Sequence, residues 1–235
     1  MRKDTSPYAG GQKKKSSISF EPRNTVPWTG KQKELLNIID DKNSKVIFLR
    51  GPSGTSKTFI AVYAALKALA EKKISDIIYI RSVVESSSNK MGYLPGDGES
   101  KLSPYCRPLE DKLEELVDIP TQKKLKDEKL VTGIPVNFLR GAHFSGKFII
   151  CDEMQNCDKK ELTTILTRVG EFSKIILCGD PMQSDLAHDK SAFASFYNAF
   201  HWANHPNIKT FSFDEDDIVR SKILKDILEI ITSMP

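Results

Sequence analysis

The stretch Gly51-Pro52-Ser53-Gly54-Thr55-Ser56-Lys57-Thr58 has the residue types needed to grip a polyphosphate. Small residues let the backbone curl so that successive N–H groups point at phosphate oxygens, and a helix that starts at the end of the loop adds its positive N-terminus. Lys57 is placed to reach the terminal phosphates, and the Thr58 hydroxyl to ligate Mg2+. One position departs from the pattern G-x-x-x-x-G-K-[ST]: Ser56 stands where glycine is expected, which predicts a crowded loop and weaker nucleotide binding. The plain alternative is a ligand-free turn between strand and helix. That alternative leaves the lysine and the threonine at the two required positions without a reason.

A second constellation follows about a hundred residues later. Cys151-Asp152-Glu153 closes the apolar run Phe148-Ile149-Ile150, so two adjacent carboxylates emerge where a strand ends. Asp152 suits a Mg2+ held through water, and Glu153 suits the orientation and deprotonation of a water attacking a γ-phosphate. Alone, such a pair is an ordinary solvated turn; downstream of a phosphate loop it has a job. The next apolar run ends in Gly179-Asp180-Pro181-Met182-Gln183, where the donor and acceptor atoms of Gln183 suit a group that senses the γ-phosphate or its attacking water.

Parallel strands covered by helices would position these groups. Val46-Ile47-Phe48-Leu49, Ile77-Ile78-Tyr79-Ile80, Phe148 to Cys151 and Ile175-Ile176-Leu177-Cys178 are continuous apolar runs, as strands buried on both faces require. Helical patterns cover Lys31 to Asp40, Phe59 to Ala70, Lys159 to Val169 and Asp217 to Thr232. The predicted fold is a three-layer α/β phosphate-loop domain over 25–235, its parallel sheet flanked by helices. An irregular and helical insertion occupies about 85–146, including a charged helix from Leu109 to Val117. No internal repeat is evident.

Composition sets further bounds. Over 235 residues, 39% hydrophobic and 28% charged is ordinary for a globular domain. No apolar run approaches the roughly 20 residues that span a bilayer, and the opening residues lack the apolar stretch of a secretory signal, so a cytoplasmic protein with no membrane partner is expected. Cys106, Cys151, Cys157 and Cys178 lack zinc-type spacing and read as reduced, mostly buried thiols. His201 and His205 stand one helical turn apart; without a third ligand they read as an ordinary helix face. The first 23 residues contain six basic and two acidic side chains, which account for the whole net charge of +4. Residues 1–24 are therefore predicted to be a flexible basic tail, serving either solubility or attraction to a phosphate backbone.

Taken together, these motifs resemble the PhoH-like family of ATPases, itself similar to the first motor domain of superfamily-one helicases and so RecA-like in fold. The resemblance extends through Ile80-Arg81-Ser82-Val83-Val84-Glu85, Met91-Gly92-Tyr93-Leu94-Pro95-Gly96-Asp97, Pro104 to Leu109, Phe138-Leu139-Arg140-Gly141 and Asp217-Ile218-Val219-Arg220. It covers about Thr29 to Ile230, and implies ATP hydrolysis with action on single-stranded RNA or DNA, in a homo-oligomer such as a hexameric ring. By this likeness Gln32 would read adenine and Arg220 would supply charge to the transferring phosphate. The plain alternatives are an exposed polar helix face for Gln32 and pairing with Asp216 or Asp217 for Arg220. Arg81 and Arg140 either contact nucleic acid or hold the fold through carboxylates.

About fifty residues follow Gln183, too few for a second motor domain, so translocation would need several subunits. Two other functions fit the same loop: a nucleotide-gated interaction protein with little hydrolysis, which Ser56 motivates, and a small-molecule phosphotransferase. The phosphotransferase would need no water-activating Glu153.

Overall fold

Each of the four apolar runs forms one strand in the computed structural model. Residues 18–24, 27–82, 98–136, 139, 141–186, 191–219 and the single positions 223, 227 and 230 are described, over 98–105 as helical backbone only. The elements are α1 Gly30–Asp40, β1 Val46–Arg50, α2 Lys57–Ala70, β2 Ile77–Arg81, α3 Gly98–Leu116, α4 Ile119–Asp127 and β3 Val131–Pro135. These are followed by β4 Phe148–Asp152, α5 Lys159–Leu166, β5 Lys174–Gly179, α6 Phe193–Ala203 and β6 Ile208–Ser212. The strands form one sheet in the order β3-β2-β4-β5-β1-β6, every pair parallel.

Successive side chains of a strand point to opposite faces, and here both faces are apolar. Ile47 and Leu49 of β1, with Ile77 and Tyr79 of β2, pack under α1 to α4; Phe48, Ile78 and Ile80 pack under α5 and α6. Ile60, Ala61, Ala64 and Ala65 form the buried stripe of α2, and the three small members among them let the helix lie close to the sheet. At the start of α1, Thr29 and Gln32 form a reciprocal capping box: the Thr29 hydroxyl accepts from the Gln32 N–H, and the Gln32 side chain accepts from the Thr29 N–H.

Several expectations need correction. The segment around 85–146 is helical as expected in α3 and α4, and it also supplies a strand that was not expected, β3, which pairs along the whole of β2. Gly133 in that strand lets α3 approach, since a Cβ there would lie 2.0 Å from the Cys106 Sγ. The last residues of the supposed tail also belong to the domain. Ile18 and Pro22 are buried, Phe20 packs on the core, and the Arg23 N–H donates to the Leu116 carbonyl at 2.7 Å. This alternating apolar triplet is hidden in the sequence by the lysine, serine and glycine around it.

His201 and His205 do not share a helix face. Asn204 takes a left-handed conformation (φ 43°) and ends α6, so His205 lies beyond it; the His205 ring accepts from the Asn207 N–H while His201 faces the Thr210 hydroxyl. Glu215–Asp217 form a short 3-10 turn where the final helix was expected to begin; positions 223, 227 and 230 are helical. Residues 1–17, Val83 to Asp97, Phe138, Arg140 and Arg220 lie outside the described residues. All four cysteines are free thiols and three are buried; burial raises Cys151 and Cys178 well above the usual thiol range and pushes Cys157 up to about 12. No helix among the described residues is long and apolar enough to cross a membrane.

Lys174 ties β5 to the end of α1 by donating to the carbonyls of Ile39 and Asp41. Burial lowers its pKa to about 8, with Lys45 pushing the same way and Asp40 and Asp41 opposing. In the unfolded chain the amine titrates near 10.5, so between pH 8 and 10.5 the unfolded state binds more protons and this group makes stability rise with pH. Urea unfolding across that window should show the rise in the wild type and a flatter curve for Lys174→Met.

Candidate functional site

Because all strands are parallel, their C-terminal ends lie along one edge, and the order β4-β5-β1 sets three motif-bearing ends side by side. They line a cavity of about 480 Å3, in the ordinary range for a small-molecule site. Ser53, Gly54, Ser56, Lys57 and Thr58 form one wall; Asp152, Glu153, Asp180 and Gln183 contribute from β4 and β5.

The phosphate loop is built as the residue types require. Gly51 passes Phe213 so closely that a Cβ would lie 2.7 Å from the Phe213 Cβ. The Thr55 hydroxyl donates to the Pro52 carbonyl at 2.9 Å, bracing the curl. Gly51, Pro52 and Thr55 shape the loop without lining the cavity, whereas α2 begins at Lys57 and points its N-terminus inward. Lys57 donates to the Gly51 and Pro52 carbonyls at 2.6 and 2.8 Å. Burial lowers its pKa, opposed mainly by Asp180 and then by Cys178, Asp152 and Glu153.

Ser56, the departure from the pattern, adopts φ 65°, ψ 24°. This is the left-handed region that the missing glycine would enter freely, so the cost of serine is backbone strain as well as bulk.

Asp152 is the best-fixed group of the site. Its Oδ1 accepts from the Thr58 hydroxyl at 2.8 Å and its Oδ2 from the buried Tyr79 hydroxyl at 2.6 Å. Desolvation and the neighbouring Asp152 charge keep the Tyr79 phenol protonated far above its normal range. Among the described residues no cluster of three or more His, Cys, Asp and Glu side chains forms an all-protein metal cage. A hydroxyl and one carboxylate, both hard oxygen donors, instead match a magnesium ion that keeps waters and substrate phosphates as its other ligands.

Glu153 leaves the end of β4 in another left-handed conformation (φ 58°). Gln155 Nε2 donates to Glu153 Oε2 at 2.6 Å, and Arg81 Nη2 lies 3.8 Å from Glu153 Oε1. Of the two alternatives for Arg81, the structure thus shows a carboxylate partner. Asp180 is buried; desolvation raises its pKa, countered by Lys57 and by the Met182 and Ser53 amides. Gln32 is not on an exposed face: it is buried at 3% exposure and lines the cavity with its carbonyl oxygen engaged by Thr29.

A model of the PhoH-like protein family matches residues 25–232. The chain belongs to the PhoH-like family. Over 189 residues it is 33% identical to a PhoH-like protein of Bacillus subtilis (strain 168), covering 80% of this chain and 58% of that protein. A PhoH-like protein of Mycobacterium tuberculosis (strain H37Rv) is 36% identical over 169 residues, 72% of this chain and 47% of that one. Protein PhoH2 of B. subtilis is 34% identical over 165 residues, 68% and 37% of the two chains. The chain spans about half the length of the curated relatives it matches.

Sequence reasoning missed several side chains of this PhoH-like site. Tyr79 had one signal, a hydroxyl in the otherwise apolar run of β2. Trp28 packs on Phe59 and Tyr63 at 5.8 and 5.1 Å between ring centroids and makes an aromatic wall. Lys112 of α3 comes within 5.9 Å of the Phe59 ring and joins that wall from the inserted segment. Lys31 bridges Asp214 and Asp217 at 2.7 and 2.6 Å, and the Val219 N–H donates to the Gly54 carbonyl, so the chain after β6 closes over the loop.

Two substitutions test these local accounts. Ser56→Gly relieves about 1–2 kcal/mol of left-handed strain, less about 0.5–1 for the freer unfolded chain, so its urea midpoint should rise modestly. Tyr79→Phe leaves a buried carboxylate oxygen short of a donor and should lower stability by about 1–3 kcal/mol in the same measurement.

Proposed function

We propose that this PhoH-like chain hydrolyses ATP with Mg2+ and couples the hydrolysis to binding or remodelling of single-stranded RNA or DNA. The observation that carries the reading is the convergence of Lys57, Thr58, Asp152 and Glu153 on one cavity. The loop amides and Lys57 would bind the β- and γ-phosphates, the ammonium exchanging its two carbonyl bonds for phosphate oxygens. Thr58 and Asp152 would hold the Mg2+, which when bound neutralises charge developing on the phosphates. Glu153 would accept the proton of the attacking water as its oxygen bonds to the γ-phosphorus and the bond to the β-phosphate oxygen breaks. Gln183 would orient that water or the γ-phosphate, and Gln32 and the Trp28 wall would receive the base.

Arg220 follows Val219, which lines the cavity, and an arginine there would stabilise the transferring phosphate. In a homo-oligomer, such as a hexameric ring, it could serve a neighbour's nucleotide. Arg81 and Arg140 remain the proposed contacts to the polynucleotide backbone, with Arg81 shared between that role and Glu153. The strained Ser56 favours one second reading, a nucleotide-gated interaction protein with little turnover.

Phosphate release by Glu153→Gln should fall about a hundredfold to ten-thousandfold while nucleotide binding persists. Equal rates in both proteins would leave only the gated reading. Wild-type turnover should also rise with single-stranded RNA or DNA and lose that rise as salt increases; indifference to every polynucleotide would end the coupling.

A further inference from the structure

Gln155, two residues beyond Glu153, is 1% exposed, yet its side chain is wholly used in polar contacts at the edge of the cavity. Its Nε2 donates to Glu153 Oε2 at 2.6 Å, and the Gln183 carbonyl lies 3.4 Å from the same nitrogen. Its Oε1 accepts from the Asp180 N–H at 3.0 Å. The backbone carrying it is pinned as well: the Ser184 and Ser191 hydroxyls both donate to the Gln155 carbonyl, at 3.1 and 2.7 Å. The neighbouring Asn156 reinforces the join, donating to Asp185 Oδ2 at 2.9 Å and accepting from the Asp185 N–H at 2.8 Å.

Left-handed backbone directs the Glu153 side chain, but a glutamate keeps three rotatable bonds beyond its Cα and would sample many positions unaided. One amide that donates to Glu153 and accepts from Asp180 restricts that freedom, because a carboxamide carries a donor and an acceptor on one planar group. We infer that Gln155 is a positioning residue: it fixes the Glu153 carboxylate and registers it against the loop after β5 that carries Asp180 and Gln183. Arg81 holds the other Glu153 oxygen at a looser 3.8 Å, so Gln155 makes the tighter and better buried of the two restraints. The inference rests on the proposed role of Glu153 as base.

The test is a double-mutant cycle on the full chain, read as steady-state hydrolysis and as nucleotide affinity. Gln155→Met keeps shape and burial but loses both polar contacts. Gln155→Glu keeps an acceptor for the Asp180 amide while setting an oxygen against Glu153. Both should lower kcat about tenfold to a hundredfold with KM for ATP and nucleotide affinity within about twofold of wild type, because the lost geometry matters at the reacting water. In the Glu153→Gln background Gln155→Met should cost nothing further.

An equal loss in both backgrounds, or a loss confined to KM, would show Gln155 to be a core residue only. If Glu153→Gln itself turns over at the wild-type rate, the hydrolysis reading fails first. If Glu153→Gln is inactive while both Gln155 variants keep wild-type kcat, this inference alone fails.

Discussion

The doubly held Asp152 carboxylate is the constraint on which the site depends. Its two oxygens take hydrogen bonds from Thr58, at the start of α2, and from Tyr79, inside β2, and it stands at the end of β4. One side chain therefore fixes the relation between the phosphate loop and two strands that are not its sequence neighbours. Tyr79 is wholly buried and Asp152 nearly so, and in such surroundings a carboxylate without donors would cost several kcal/mol. The hydroxyls offset that cost, and they also leave Asp152 aimed into the cavity instead of into solvent. A rigid, pre-aimed carboxylate would suit the metal role proposed for it, since a small octahedral cation and its bound waters tolerate little deviation in position.

Of the six non-glycine residues with left-handed backbone among the described residues, two stand beside the same point. Ser56 and Glu153, which flank the Thr58–Asp152 contact on the two chain segments, both hold left-handed backbone without being glycine. Such conformations persist only where the surroundings over-determine them. Ser56 is held between the end of the loop and the first turn of α2, where its carbonyl accepts from the Ile60 N–H at 2.9 Å. Glu153 is held by the turn that follows it, in which Asn156 donates to its carbonyl at 3.0 Å. The two positive φ values turn their chains sharply at the cavity rim, bringing Lys57 and Glu153 to the same space.

What the sequence revealed and what it hid follow from locality. The four central strands were legible because both faces of each are buried, leaving unbroken runs such as Phe148 to Cys151. The two edge strands were not. Val131–Pro135 contains a glycine that makes room for Cys106 and ends in proline, and Ile208–Ser212 carries Lys209, Thr210 and Ser212 and is only partly buried, so neither reads as an unbroken apolar run. The loop and the Asp152-Glu153 pair were legible because their chemistry demands fixed spacing along the chain. Tyr79, Trp28 and Lys112 were not, because each acts through a partner remote in sequence; nothing in the order of residues says that Tyr79 and Asp152 meet. Gln32 was singled out only by the family likeness, and its burial and its bond to Thr29 needed the fold.

The capping box at Gln32 bears on how a base would be read. The Gln32 oxygen already accepts from the Thr29 N–H, so the side chain is not free to rotate and offers its Nε2 face in one fixed sense. Thr29 lies one residue from Trp28, whose ring is in turn set against Phe59 and Tyr63 of α2. The polar and aromatic parts of the wall are thus locked to the same helix that starts at Lys57. Any shift of α2 on phosphate binding would carry the base-facing wall with it, so the two ends of a nucleotide would be gripped by one rigid unit. Of the elements that close over this unit, α3 packs Leu109, Leu113 and Leu116 into the same core and brings Lys112 to Phe59, while the segment beyond β6 is tied by the Val219–Gly54 hydrogen bond and by the Lys31 bridges to Asp214 and Asp217.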